Sequence, residues 1–409
     1  MVTDRYERCR QEITGCLRQQ IDFTREVLDE EIQNMIDDMI VSTRHSYALT
    51  LEERQRLGRE IFYDIRRLGI LQELVDAEDI TEIMINGTEN IFYEKEGRLY
   101  QWEKYFESRE KLEDVIQQMV NKCNRTVNES SPIVDARLEN GSRVNVVLAP
   151  VALNGPVVTI RRFPENPITM GQLIAFDSIS AEAAELLKRL VIAGYNIFIS
   201  GGTGSGKTTF LNALSHYIPN TERIITIEDS AELQIRGILN LVSLETRNAN
   251  MEGVKEISIR DLIRTSLRMR PDRIIVGEVR GAEAIDMLQA LNTGHDGSLS
   301  TGHANSSKDM LARLETMVLM GMELPLAAVR SQIASGVDII VHLGRLRDKT
   351  RKVLEITEIL GFEDGEIKTQ CLYQYEETGE NEGRIEGSLK MKNELLHTEK
   401  LHAAGLEEP

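Results

Sequence analysis

The first 76 residues show the hydrophobic pattern of amphipathic helices. Apolar residues recur every three or four positions, as in Ile61, Ile65, Leu68 and Leu71, and this spacing places them on one face of a helix. The stretch contains no proline. The pattern therefore predicts a helical N-terminal module over residues 1–76.

A different pattern begins near residue 80, where short β-rich runs alternate with turn signals. The pairs Asn86-Gly87 and Glu96-Gly97 are typical of tight turns between strands. A helix is predicted from about Ser108 to Cys123, and further strands are predicted around 144–148 and 157–161. Together these elements predict a small α+β domain over residues 77–163.

Pro164 and Pro167 indicate a break in the chain, because proline cannot continue a helix and favours extended backbone before it. We expect an inter-domain linker over residues 164–169. Beyond it, apolar strands at 196–200, 223–227 and 273–276 alternate with helical patterns, which indicates crossover connections and a largely parallel sheet. The fold class predicted for residues 170–362 is an α/β nucleotide-binding domain.

The end of the chain is acidic. Residues 363–409 hold 12 acidic and 5 basic side chains, a net charge of -7. Residues 352–358 and 367–373 are expected to pair as a hairpin, and the chain from about Glu376 is expected to be a solvated tail.

Composition and charge limit the classes of protein. The 409 residues are 41% hydrophobic and 28% charged, as in folded proteins rather than disordered ones. The longest stretches without charge have 17 residues, short of the ~20 needed to span a bilayer. The charged N-terminus lacks the pattern of a signal peptide. We expect a cytoplasmic protein, and its net charge of -18 disfavours nucleic acid as a direct partner.

The segment NIFISGGTGSGKTTFLNAL contains the strongest chemical signal. An apolar strand, a glycine-rich loop and an amphipathic helix follow one another, and the loop matches the phosphate-binding pattern G-x4-G-K-[ST] in the context that this motif requires. In this pattern Lys207 contacts the β- and γ-phosphates of a nucleotide and Thr208 binds Mg²⁺. The predicted nucleotide contacts are Gly201, Gly202, Thr203, Gly204, Ser205, Gly206, Lys207, Thr208 and Thr209. The alternative is a glycine-rich turn without a ligand, which leaves the Gly-Lys-Thr triplet unexplained.

Acidic residues follow two apolar strands of the predicted sheet. Glu228 and Asp229 end the run RIITIED, and Glu278 ends RPDRIIVGE. The carboxyl ends of parallel strands lie on the ligand side of such a sheet, so these carboxylates are candidates to contact Mg²⁺ or the attacking water. Helix capping or solvation is the alternative for each.

Two histidines, His295 and His303, lie in a segment rich in glycine, serine and threonine. Such a segment can reach a γ-phosphate, and His303 is a candidate to contact the nucleotide. The eight-residue spacing, without a nearby cysteine or acidic pair, is poor support for zinc. We expect no metal other than Mg²⁺.

Four ordered motifs resemble those of the type II/type IV secretion ATPases: GGTGSGKTT, TIEDSAEL, MRPDRIIVGEVRG and GSLSTGHANS. Residues 60–362 carry the resemblance. The segments ITEIMINGTENIFYEKEGRL and DARLENGSRVNVVLAPVALNGPVVTIRRF are most similar to the tight-adherence (Flp) pilus assembly branch of this superfamily. The resemblance implies a RecA-like P-loop domain after a smaller α+β domain, and a homo-hexameric ring.

The resemblance also implies roles for individual residues. In this superfamily ATP lies between the two domains, and arginines of the N-terminal domain close on its phosphates. The candidates are Arg137, Arg143, Arg161 and Arg162, of which Arg143 and Arg162 fit the motifs best. A surface salt bridge is the alternative for each. Alternation along a strand places Arg161 and Arg162 on opposite faces.

The acidic-box residue Glu228 corresponds to the base or water-orienting group, and Glu278 to the Mg²⁺-supporting glutamate, although the sequence leaves the reverse assignment open. The implied function is an ATPase motor that rotates one domain against the other. It would act on an inner-membrane platform protein of a pilus or secretion machine and associate with the membrane through that partner. The alternatives are a type IV secretion ATPase that pumps DNA or protein, and a nucleotide-binding scaffold without turnover.

Overall fold

The computed structural model describes residues 2–21, 25, 27–95, 97–123, 125–138, 140–162, 167–247 and 255–407. The chain divides into two compact units, Met1–Glu165 and Asn166–Pro409, and each is described by itself. Part of the predicted linker, including Pro164, lies outside the described residues, as does Glu96 of the second predicted turn. None of the described helices is long and apolar enough to cross a membrane.

Unit 1 begins with three helices, α1 (Val2–Gln20), α2 (Asp29–Tyr47) and α3 (Leu51–Arg66). Their apolar faces form a core of their own, which includes Leu17, Ile36 and Leu57. A 3₁₀ turn at Gly69–Leu71 and the short helix α4 (Gln72–Asp76) follow. Their buried residues, such as Leu71, belong to the next core along the chain. The predicted helices are present, but this change of core comes before the predicted boundary at residue 76.

The rest of unit 1 is a six-stranded antiparallel sheet with one face covered. Its elements are β1 (Ile80–Asn86), β2 (Asn90–Lys95), β3 (Arg98–Gln101), α5 (Arg109–Lys122), β4 (Ile133–Arg137), β5 (Arg143–Val147) and β6 (Val157–Arg161). The strand order is β3-β2-β1-β6-β5-β4. Alternate residues such as Ile83, Val146 and Val158 share a core with Ile116 of α5. The intervening residues occupy the other, less buried face.

Unit 2 contains a nine-stranded sheet with helices on both faces. Its elements are α6 (Met170–Ala175), α7 (Ala181–Ala193), β7 (Ile197–Gly201), α8 (Lys207–Ser215), β8 (Arg223–Glu228), β9 (Asn240–Glu245), α9 (Ile259–Ser266), β10 (Arg273–Val276), α10 (Ala284–Leu291), β11 (Leu299–Gly302), α11 (Ser307–Gly321), α12 (Leu326–Gly336), β12 (Ile339–Arg345), β13 (Arg351–Glu363), β14 (Glu366–Asn381), β15 (Arg384–Met391) and α13 (Glu399–Ala403).

The strand order of this sheet is β15-β14-β13-β12-β7-β11-β10-β8-β9. The neighbouring strands β12, β7, β11, β10, β8 and β9 pair in parallel. On the other side of β12, the strands β13, β14 and β15 continue the sheet with antiparallel pairs. Two apolar cores cover its faces. The carboxyl ends of the parallel strands are therefore the open edge at which a ligand can bind.

The predicted solvated tail from Glu376 is wrong. The hairpin predicted between residues 352–358 and 367–373 is present as β13 and β14, but β14 continues to Asn381 and β15 pairs beside it. Leu401 of α13 is fully buried. Few side chains of these strands are buried, so their hydrophobic signal is weak, and backbone pairing with a formed strand edge organises them instead.

Candidate functional site

The glycine-rich loop connects β7 to α8 at the open edge of the sheet. A Cβ atom at Gly201 would lie 2.5 Å from the carbonyl oxygen of Leu343 and 2.6 Å from Ser205 Oγ, so no side chain fits there. Gly206 has a φ of 94°, in the left-handed region that favours glycine. These two positions allow the loop to curve back onto the first turn of α8, where backbone N–H groups can bind phosphate oxygens.

Lys207 is the first residue of α8, where this loop ends. Its Nζ donates to the carbonyl oxygens of Gly201 and Gly202, both at 3.1 Å. The side chain is buried, and burial lowers the pKa of the ammonium group from its usual value, against the opposing effect of Glu278. Thr208 and Thr209 follow in the same helical turn and are half-buried. The predicted phosphate-contacting residues thus lie in the loop and the first turn of α8.

His303 connects Lys207 to Glu278. The Nζ of Lys207 lies 3.3 Å from Nδ1 of His303, and Nε2 of the same ring lies 2.8 Å from Oε1 of Glu278. Burial lowers the pKa of His303, and the charge on Lys207 lowers it further. The neutral ring can accept from the lysine at Nδ1 and direct Nε2–H towards the carboxylate. The structure therefore brings together residues from three separate sequence motifs.

The Glu278 carboxylate has the features of a cation ligand. Its Oε1 is buried and has no hydrogen bond that meets normal geometry among the described residues, in spite of the short approach of His303. Its Oε2 accepts from Arg280 at 2.6 Å. Mg²⁺ prefers oxygen ligands such as carboxylates and hydroxyls. Glu278 and Thr208 offer this chemistry, so the residues present fit Mg²⁺.

Glu228 is held in a different way. It is buried at the end of β8, and its Oε1 accepts from the backbone N–H groups of Glu232 and Leu233 at 2.8 and 3.0 Å. Its side chain packs against Gly277, because a Cβ atom at that residue would lie 2.8 Å from Glu228 Cγ. The lack of a side chain at Gly277 therefore allows the end of β10 to lie against Glu228.

Two arginines near this site were not predicted. Arg280 lies 3.8 Å from Asp229 in addition to its contact with Glu278; its position two residues after Glu278 was an available signal. Arg351 donates through Nε to the carbonyl oxygen of Gly204 at 2.9 Å. No sequence signal marks Arg351, because it comes from a strand 147 residues further along the chain. His295 is not part of this group, and its Nδ1 lies 3.2 Å from the carbonyl oxygen of Ala290.

The N-terminal arginines are arranged by the register of the sheet in unit 1. Arg137 is opposite Arg143, and Arg143 is opposite Arg161. Glu82 and Glu94 continue the same line across β1 and β2. We name Arg137, Arg143 and Arg161 the arginine row. It lies on the face of the sheet that the core does not use.

Arg162 is placed differently from the arginine row. Its backbone N–H continues the ladder to Thr81, and its guanidinium donates to the carbonyl oxygen of Ala77. Alternation puts its side chain on the opposite face from Arg161. The structure therefore groups Arg143 with Arg137 and Arg161 and separates it from Arg162, although the motifs favoured Arg143 and Arg162 together.

The strand, loop and helix around Lys207, with acidic residues at the ends of β8 and β10, define unit 2 as a P-loop nucleotide-binding domain of the RecA-like type. The family model described as "Type II/IV secretion system protein" matches residues 65–402. The chain belongs to this family.

Individual relatives agree with this assignment. A putative conjugal transfer protein of Mycobacterium tuberculosis is 36% identical over 311 residues, which are 75% of this chain and 88% of the relative. The type IV secretion system protein PtlH of Bordetella pertussis is 32% identical over 315 residues, covering 71% and 93%. The X-ray structure of the ATPase DotB of Legionella pneumophila matches with a TM-score of 0.51 at 21% identity, covering 72% of this chain and 80% of that one. This last similarity concerns the fold.

Proposed function

We propose that the chain hydrolyses ATP and uses the energy to drive a pilus assembly or secretion machine. One observation carries the proposal. At the open edge of the sheet, the His303 ring contacts Lys207 at 3.3 Å and Glu278 at 2.8 Å. These residues come from three motifs and meet at the loop that binds phosphate. A scaffold that only binds nucleotide has no need of the buried Glu228 beside them.

Catalysis in this proposal depends on position and charge, as in other phosphoryl transfers. The backbone N–H groups of residues 202–207 and Lys207 hold the phosphates. Mg²⁺, held by Thr208 and Glu278, would neutralise charge on the phosphate oxygens. Glu228, fixed by two backbone N–H groups, orients the attacking water and accepts its proton. His303 contacts the γ-phosphate from beside Lys207.

We further propose that the arginine row contacts the phosphates, as the motif resemblance implies. Three arginines that lie opposite one another on an exposed sheet face can offer guanidinium groups to a polyphosphate. In a motor of this kind the row closes on the nucleotide when one domain rotates against the other, and a homo-hexameric ring supplies the repeated sites. The exposure of Arg137 and Arg161 supports a role in binding rather than in the core of unit 1.

The machine that we propose is a tight-adherence (Flp) pilus assembly system, in which the ATPase acts at the cytoplasmic face on a platform protein in the inner membrane. The motif resemblance in residues 80–163 supports this branch. A type IV secretion ATPase that moves DNA or protein is the second candidate, because the relatives are named for conjugal transfer and type IV secretion. The net charge of -18 argues against DNA as the direct load. Neighbouring genes for a prepilin and a polytopic membrane protein would favour the first candidate.

The test of the enzymatic proposal is Lys207→Ala, with Lys188→Ala as the matched control. Lys188 lies on α7, where its Nζ pairs with Glu185. We expect phosphate release from ATP by the full chain to fall at least ~100-fold in the first variant, the scale for loss of one preorganised charge-stabilising group, and to be unchanged in the second. Unimpaired turnover by a folded Lys207→Ala variant would contradict the proposal. Sedimentation with and without ATP would test the hexamer.

A further inference from the structure

His342 is a buried histidine immediately behind the phosphate-binding loop. It lies on β12, directly opposite Ser200 of β7 in the parallel pairing, and its Nδ1 is 2.8 Å from Ser200 Oγ. Ser200 is the residue before Gly201, where the loop begins. The side chain of His342 is only 6% exposed, so its ring interacts with protein groups rather than with solvent.

The other side of the ring faces the segment that follows His303. A hydrogen bond between His342 and the backbone of Asn305 favours the protonated ring, so the ring donates and the carbonyl oxygen accepts. Burial nevertheless lowers the pKa of His342, which keeps the ring neutral. A neutral ring that donates from Nε2 to Asn305 accepts at Nδ1 from the Ser200 hydroxyl.

A second contact holds the far end of the same segment. Ser307 begins α11, and its Oγ donates to Oε2 of Glu355 at 3.0 Å. Glu355 is on β13, directly opposite His342, and its Oε1 accepts from Thr357 at 2.8 Å. The strands β12 and β13 thus hold residues 305–307 at two points.

We infer that His342 is a positioning residue, which holds the segment from His303 to Ser306 so that the His303 ring reaches both Lys207 and Glu278. The inference rests on the proposed ATP hydrolysis and adds a residue to that site. The β12 neighbours of His342, Ile340 and Val341, are buried and apolar. Hydrophobic packing would favour an apolar residue at position 342 as well, so packing alone does not explain the histidine. A buried imidazole costs desolvation energy unless its hydrogen bonds are made, and here those bonds join the strand of the phosphate-binding loop to the histidine segment.

Two substitutions test the hydrogen bonds on the two sides of the His342 ring separately. The amide nitrogen of glutamine lies near the position of Nε2, so His342→Gln keeps the donor to Asn305. Asparagine is shorter and reaches only the Nδ1 side, so His342→Asn keeps the contact with Ser200 and loses Asn305. We expect kcat to fall roughly 10-fold to 100-fold in His342→Asn, the scale for a misplaced catalytic group, while KM changes less than about threefold. His342→Gln should stay within about threefold of the parent protein in both constants.

A double-mutant cycle with His303→Ala distinguishes positioning from general stability. If His342 acts through His303, His342→Asn should have little further effect on kcat once His303 is alanine. Thermal melts identify variants that fail to fold, and His342→Gln then provides the folded comparison. Additive effects of the two substitutions, or normal kcat in a folded His342→Asn variant, would overturn the inference.

NMR signals of the histidine rings provide a readout that does not need turnover. The chain has seven histidines, and His303→Ala identifies the His303 signal. We expect its ring shifts to change in His342→Asn and to remain near those of the parent in His342→Gln. An unchanged His303 signal in His342→Asn overturns the inference. If the parent protein shows no turnover, the proposed function fails, and these shifts still decide whether His342 positions His303.

Discussion

The two sheets of this protein present charged residues in different ways. The sheet of unit 1 is antiparallel and has one face in the core, so its arginine row lies on a face and spans three strands. The parallel strands of unit 2 are covered on both faces, so Glu228 and Glu278 lie at the strand ends. Cross-strand register determines the first group, whereas loops after parallel strands determine the second.

This difference also affects how each group is held in place. Residues in a row across an antiparallel sheet move as a rigid set with their domain. Residues on loops at strand ends can adjust one by one, and here each has its own anchor: Glu232 and Leu233 for Glu228, and Arg280 for Glu278. In the proposed motor the row would therefore act as one set, and the strand ends would each hold one catalytic group in place.

The largest expected effect on kcat comes from a comparison of arginines on the two faces of the unit 1 sheet. We expect Arg143→Ala to lower kcat by about 10³-fold with little change in ATP affinity, because an arginine supplied to the phosphoryl group acts mainly in the transition state. Arg162→Ala is the matched control. It removes the hydrogen bond to Ala77, so it should lower the melting temperature and leave kcat much less affected than Arg143→Ala does. Steady-state kinetics and thermal melts measure both. A larger loss of kcat in Arg162→Ala than in Arg143→Ala would assign the role to the opposite face.

The next largest effect on hydrolysis distinguishes the roles of the two glutamates at the strand ends. Glu228→Gln keeps an acceptor for the N–H groups of Glu232 and Leu233 but removes the base. We expect ATP to bind normally and hydrolysis to slow ~100-fold, the scale of a lost general base. Glu278→Gln should instead raise the Mg²⁺ concentration needed for half-maximal rate. If the two variants exchange these phenotypes, the roles are reversed.

A smaller effect tests the close approach at the end of β10. A methyl group at residue 277 would lie 2.8 Å from Glu228 Cγ, so Gly277→Ala must displace the Glu228 side chain. We expect kcat to fall about 10-fold and the free energy of unfolding to fall by roughly 1–3 kcal/mol, as for other overpacked sites. Gly379→Ala is the control, because no atom of the described residues lies within 4 Å of the position that its methyl group would take. Normal kinetics in Gly277→Ala would show that Glu228 does not need its present position.

The smallest effect is a pH dependence of stability specific to unit 2. Burial lowers the pKa of His303 and of His342 below the ordinary value of 6.5, so the folded protein keeps both rings neutral while the unfolded chain takes up protons. The free energy of unfolding should therefore fall as pH decreases below about 6.5, by up to ~1.4 kcal/mol per pH unit for each ring. Denaturant titrations between pH 7 and 5 measure the slope. His342→Gln should reduce it.

Local sequence determined much of unit 2 and one helix of unit 1. The strand, loop and helix around Lys207 are contiguous, so the glycines, the lysine and the apolar flanks all act over about 20 residues. The same holds for the strands that end at Glu228 and Glu278 and for the helix that starts after Ser108, which caps it through its side chain. These features need no distant partner, and the sequence by itself therefore predicted them.

Tertiary structure decided the features that depend on residues far apart in the chain. Arg137, Arg143 and Arg161 became one row through strand register, and the same alternation separated Arg162 from them. Arg351 and His342 reach the phosphate-binding loop from strands more than 140 residues away. The chain after Glu376 is ordered because the rest of β14 pairs with β15, and β14 itself starts on the edge that β13 offers. Backbone pairing and buried polar contacts of this kind leave little hydrophobic pattern, so only the folded structure determines them.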